Sequence, residues 1–167
     1  MPSNAAQITY LKPVPAIPVS QGKTTFYLFS ISAKRLLDIA YTSERTQYNK
    51  TGIQRGLRPD RLKEIGKFLA SNGSNPPLLP NAIIISLSAE SYFKNGLLHI
   101  CSRPAGEAFV IDGQHRLWAF SPEYSDSIDL DIVVTAFINL DDSGKAFIFR
   151  SINGNQRKIN PSLVLLC

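Results

Sequence analysis

The run Val110-Ile111-Asp112-Gly113-Gln114-His115-Arg116-Leu117-Trp118-Ala119-Phe120 constrains this chain more than any other stretch. Two apolar residues lead into Asp-Gly, and a polar trio then opens an apolar segment about two helical turns long, which reads as strand, tight turn and helix. At such a junction the first helical N–H groups have no partner within the helix and carry the positive end of its dipole, so the turn suits an anion. Gly113 removes a Cβ from the approach to the backbone, and Arg116 places a forked cation one turn in.

A strand-turn-helix needs a sheet around it, and the rest of the chain supplies one. Thr24–Ser30 is rich in β-branched and aromatic residues and predicts a strand. Ser32 is expected to cap a short helix over 33–41, and Pro59 to open a helix whose apolar face is Leu62, Ile65, Phe68 and Leu69, ending at Asn72-Gly73. The continuous apolar run 82–87 predicts a strand covered on both faces; 97–101 and 108–111 predict two more. The helix opened by Asp112 should stop at Ser121-Pro122, and the alternation from Ile128 to Ile138 predicts another strand. Ser143 is expected to cap a helix over 144–152 that ends at Asn153-Gly154. Mixed strands and helices indicate an α/β (α+β) fold, a small mixed β-sheet flanked by helices. Residues 1–20 hold four prolines and are expected to form an extended N-terminal arm with at most a short edge strand; residues 21–167 form the domain. The apolar tail Leu163-Val164-Leu165-Leu166-Cys167 suggests truncation of a longer protein, or a surface for a partner or a second copy.

Charge points to a class of partner. Residues 1–70 contain eleven Lys/Arg and four Asp/Glu, whereas residues 71–167 contain seven and nine, so the basic excess lies wholly in the first part. A basic surface fits a phosphate-rich partner such as DNA, and an ordinary solvated face explains it equally well. Arg55, Arg58, Arg61 and Arg157 are the candidates for DNA contact. No apolar run approaches the roughly 20 residues of a membrane helix, and the first residues lack the apolar core of a signal peptide, so no membrane partner and a cytoplasmic location are expected. Cys101 and Cys167, with no Cys/His cluster beside them, indicate neither a disulfide nor a metal site.

Two readings of the turn stay open on spacing alone. In one, Gly113 and the amides of 113–115 cradle a phosphate, Arg116 clamps it, and His115 positions or protonates a phosphate oxygen. Asp112 then caps the helix or binds Mg²⁺. In the other, Asp112 caps, Gln114 and His115 hydrogen-bond the adjacent loop, and Arg116 pairs with a surface acid.

The residues Asp112-Gly113-Gln114-His115-Arg116 also carry a resemblance. They match the signature of the DGQHR-domain family, which includes DndB-type proteins associated with phosphorothioate DNA modification in bacteria. Phe149-Arg150-Ser151-Ile152-Asn153-Gly154-Asn155-Gln156 resembles the F-x-x-x-N-x-x-Q element that follows the signature, and Ile53-Gln54-Arg55 resembles the family's opening; the resemblance spans about residues 20–165. More distantly, Gly113-x-x-Arg116-x-x-Ala119 is similar to the G-x-R-R-x-x-A box of ParB-type partition proteins and the G-x-H-R turn of sulfiredoxin, where this strand-turn-helix meets nucleotide phosphates. Asn153 to Arg157 with Asn160-Pro161 is similar to the second ParB box, but its Glu is missing, and Gln114 stands where sulfiredoxin has its cysteine, which excludes that redox chemistry.

The resemblance implies a ParB/sulfiredoxin-like sheet and a DNA-binding regulatory or accessory protein of a phosphorothioate modification system. Its phosphate or nucleotide pocket would comprise Gly113, Gln114, His115, Arg116, Asn153 and Gln156, with ATP or CTP and Mg²⁺ as candidate ligands. The alternative is a nucleoside triphosphatase or DNA-nicking enzyme using Asp112 and His115 as catalytic groups. Two-metal phosphoryl chemistry needs several converging carboxylates, and only Asp112 lies in a motif.

Overall fold

The computed structural model describes residues 8–43, 56–71, 77–103, 106–125 and 128–155. Residues 44–55, which include Ile53-Gln54-Arg55, the Asn72-Gly73 helix stop and the segment after Asn155 lie outside the described residues.

The strands β1 (Val14–Pro15), β2 (Ile17–Gln21), β3 (Thr24–Ser32), β4 (Ala40–Tyr41), β5 (Ile83–Leu87), β6 (Tyr92–Lys94), β7 (Leu97–His99), β8 (Ala108–Asp112) and β9 (Asp131–Ile138) form two sheets. Six make the main sheet in the order β2-β3-β9-β5-β8-β4, and β1-β7-β6 make a small one. The main sheet is mixed: β5 runs parallel to β9 and β4 parallel to β8, with the other pairs antiparallel. The helices are α1 (Ala33–Leu37), α2 (Pro59–Leu69), α3 (Gln114–Trp118), α4 (Pro122–Ser125) and α5 (Asp142–Asn155). This is the expected α/β architecture. Among the described residues no helix is long and apolar enough to cross a membrane.

Alternation along the strands sorts the core into two sides. Phe29, Ile31, Ile83, Ile85, Val110, Ile132 and Val134 point to one face, where Leu36, Leu62, Leu69 and Leu117 from α1, α2 and α3 meet them. Phe109, Ile111 and Phe137 point to the other, where Ile148 and Phe149 of α5 cover them. The apolar run at 82–87 is thus a central strand buried from both sides, as its lack of alternation implied.

Several expectations change in the structure, each for a local reason. Ser32 does cap α1, accepting the Arg35 N–H, but the helix stops at Leu37 because Ala40-Tyr41 pairs in parallel with Ala108-Phe109. The proline-rich start is more ordered than its composition indicates: Ile17–Gln21 pairs along its length with Thr24–Leu28 as the sheet's edge, where Pro18 costs little, and Val14 is buried. Asp142–Asn155 continues straight through Asn153-Gly154, and its first turn is closed by the Asp141 carboxylate, which accepts the Gly144 N–H at 2.7 Å. Ser143 is therefore inside that helix rather than its cap.

Gly66 lets α2 and α4 approach closely. It faces α4, and a Cβ there would run into the main-chain carbonyl of Tyr124. Alanine normally favours a helix over glycine by about 1 kcal/mol, but a clash with backbone cannot be relieved by a rotamer change. Gly66→Ala is expected to lower stability by about 1–3 kcal/mol, the usual scale of overpacking, measured by urea unfolding; a gain in stability would contradict the packing described.

Candidate functional site

The turn after β8 is built around one guanidinium. Gly113 adopts φ +92°, a left-handed conformation that L side chains rarely adopt, and so turns the chain from β8 directly into α3. Asp112 is the last residue of β8, not the helix cap; the cap position is Gly113, which has no side chain to offer. One turn on, Arg116 folds back over Gly113. Its Nη1 donates to the Asn81 carbonyl, and its Nη2 donates to the Ala82 carbonyl and to Asp112 Oδ2, both at 3.2 Å. A Cβ on Gly113 would press on the Ile83 Cδ1 methyl and on Arg116 Nη2. The glycine therefore serves both the turn and the close approach of Arg116 to the start of β5.

These contacts give Asp112 and Arg116 a shared structural role. They form an i, i+4 ion pair with side chains 28% and 23% exposed, and burial lowers the Arg116 pKa against the opposing pull of Asp112. At least three of the five guanidinium donors are engaged, two of them by the carbonyls of Asn81 and Ala82 just ahead of β5. Among the described residues no group of three or more His, Cys, Asp and Glu side chains converges to hold a metal.

His115 makes a second tie. Its Nε2 accepts the backbone N–H of Arg58 at 3.0 Å, which fixes the neutral ring with its proton on Nδ1. Arg58 is the N-cap residue of α2 and Pro59 has no N–H, so the imidazole satisfies the first orphan donor of that helix. Burial pushes the His115 pKa down, and the cations of Arg61 and Arg58 push it further. Gln114 is half-buried at the first position of α3.

Between α2, α3 and the connector before β5 lies a cleft of about 560 Å³, lined by Arg58, Asp60, Arg61, Glu64, Ile65, Phe68, Leu79 and Arg116. Its charges are unevenly committed. Arg58 is held at two points by Asp60, both side chains about two-thirds exposed; the contact raises the Arg58 pKa and lowers that of Asp60. Arg116 is balanced by Asp112. Arg61, exposed, has no ion-pair partner among the described residues.

Of the residues singled out in the sequence, the structure thus brings Arg58, Arg61 and Arg116 to one cleft, with Asp112, Gly113 and His115 directly behind it. Asn153 is not among the lining residues: it sits on α5, which covers the opposite face of the sheet, and its Nδ2 donates to the Phe149 carbonyl of its own helix. Arg55, Gln156 and Arg157 lie outside the described residues. The apolar wall of Ile65, Phe68 and Leu79 was not anticipated as part of a site. Its signal is the spacing Arg61, Ile65, Phe68, one helix face that grades from charge to apolar surface.

Residues 14–166 match the family model described as DndB, DNA-sulfur modification-associated. The chain belongs to the DndB family. No curated protein matches it. A solved structure similar to this DndB-family chain is the C-terminally truncated chromosome-partitioning protein ParB from Caulobacter crescentus complexed with CTP-gamma-S, at 15% identity and a TM-score of 0.47. The likeness covers 78% of this chain and 56% of the ParB chain, so this chain spans little more than half the length of that one.

The His115 tie has a pH signature. Because its pKa is depressed in the folded chain, the unfolded chain takes up a proton first as pH falls through the ordinary value of about 6.5. Stability is therefore full above that pH, drops as pH is lowered toward the folded pKa and levels off below it. Urea unfolding from pH 8 to pH 5 should show this step in the wild type and a smaller one in His115→Gln; identical profiles would contradict the contact. Arg116→Ala, which strands Asp112 and two main-chain carbonyls, should cost about 2 kcal/mol in the same assay.

Proposed function

We propose that this chain is a DNA-binding regulatory or accessory protein of a bacterial DNA phosphorothioate modification system, acting in the cytoplasm, and that the cleft beside the turn at 112–116 is where it meets the phosphate backbone. The observation that carries the reading is the convergence of Arg58, Arg61 and Arg116 on one cleft in a chain of the DndB family.

The three cations take different parts in this reading. Arg61 is the first phosphate contact, since its charge has no ion-pair partner among the described residues. Arg58 joins it by exchanging Asp60 for phosphate. An exposed ion pair of that kind contributes little in water, less than a charge-assisted bond to a phosphate oxygen contributes. Arg116 adds positive potential from the floor while its main hydrogen bonds hold the start of β5 against the end of β8. Gly113 and His115 support the site from behind: one permits the approach of Arg116, the other fixes the N-terminus of α2, which carries Arg58 and Arg61.

The test is anisotropy of a fluorescent 20-base-pair duplex over a salt series. The wild-type affinity should fall steeply with salt, and Arg61→Ala should bind about 5- to 10-fold more weakly with a log–log salt slope smaller by about 1. No binding by the wild type at low salt, or an unchanged slope in Arg61→Ala, would overturn the proposal.

A further inference from the structure

A duplex backbone asks only for cations, yet half of the cleft is apolar. Along α2, Arg58 and Arg61 stand at one end of the lining face and Ile65 and Phe68 at the other, with Leu79 of the connector closing the apolar end. Phe68 is 46% exposed, although a ring on this helix could have been buried as Leu62 and Leu69 are. An exposed aromatic ring on the same face as Arg61, whose charge has no ion-pair partner among the described residues, suits a ligand that is anionic at one end and flat and apolar at the other.

Length decides between two such ligands. The rise of an α-helix places residue 68 about 10 Å along the axis from residue 61. A phosphate bearing a sulfur in place of one oxygen carries its charge and its soft atom on the same phosphorus, far too close together to touch both ends. A nucleotide separates phosphate from base by a distance of the right order, and about 560 Å³ is ample for one.

Building on the DNA-binding reading above, we propose that the cleft receives one unpaired nucleotide of a DNA strand, its phosphate at Arg58 and Arg61 and its base against Phe68, Ile65 and Leu79. The occupant is a base out of the stack: a paired base keeps its faces on its neighbours and has none to offer Phe68. Arg61 then contributes to every DNA it binds, whereas Phe68 contributes only where a base is unpaired.

The experiment compares binding of the 167-residue chain to two labelled 20-mers, one fully paired and one with a single unpaired adenine bulged at its centre. The wild type should bind the bulged DNA about tenfold more tightly. Phe68→Ala should remove that preference, Phe68→Tyr should retain it, and Arg61→Ala should weaken binding to both. Thermal unfolding of each variant establishes that an exposed ring has been removed without loss of fold. Equal wild-type affinity for the two DNAs, or a preference that survives Phe68→Ala, overturns the unpaired-nucleotide assignment and leaves the DNA-binding reading standing. Failure of the wild type to bind either DNA overturns both. Displacement of the bulged DNA by free ATP or CTP at the same strand-equivalent concentration reassigns the cleft to a free nucleotide and overturns the strand assignment.

Discussion

The guanidinium of Arg116 is the contact on which the rest of this structure depends. It reaches back across a glycine with no Cβ, ties the carbonyls of Asn81 and Ala82 to the end of β8, and is held there by Asp112. It adds a side-chain anchor shared by the start of β5, the turn at 112–113 and α3 to the main-chain pairing of β5 with β8. Partial burial makes the arrangement specific: charges with limited access to water are tolerated only when their partners are in place, so this pairing also selects the geometry in which α3 leaves the sheet.

From that anchor the cleft follows. With α3 fixed, His115 reaches the N-terminus of α2 and accepts a hydrogen bond from Arg58, and Gly66 lets α4 close on the other end of the same helix. The lining face of α2 then looks toward the connector that Arg116 holds at Asn81. A chain of three short-range ties thus places cations and apolar side chains on opposite ends of one groove. None of the three needs to touch a ligand to set the shape of that groove.

How much of this could be read from the sequence depends on the range of the contact. The strands expected at 82–87 and 128–138 are local signals and stand at Ile83–Leu87 and Asp131–Ile138, and the helix opened by Pro59 stands at Pro59–Leu69. The turn at Asp112-Gly113 was legible as a turn, but the partners of Arg116 were not, since two are main-chain carbonyls some 34 residues away that no side-chain pattern marks. Ala40-Tyr41 continues a helical spacing and becomes a strand only because β8 offers it a free edge. The run through Asn153-Gly154 shows the same limit, as the packing of Ile148 and Phe149 on the sheet carries α5 past its local stop signal. Phe68 looked like a core position by spacing and is instead part of the cleft wall.

The most direct measurement is hydrogen–deuterium exchange of the 167-residue protein with and without saturating DNA. The account predicts slower exchange on DNA binding across α2, residues 59–69, and at Leu79 to Ile83, with β2 and α5 unchanged. Protection confined to β2 or α5, with α2 exchanging at its free rate, would contradict it.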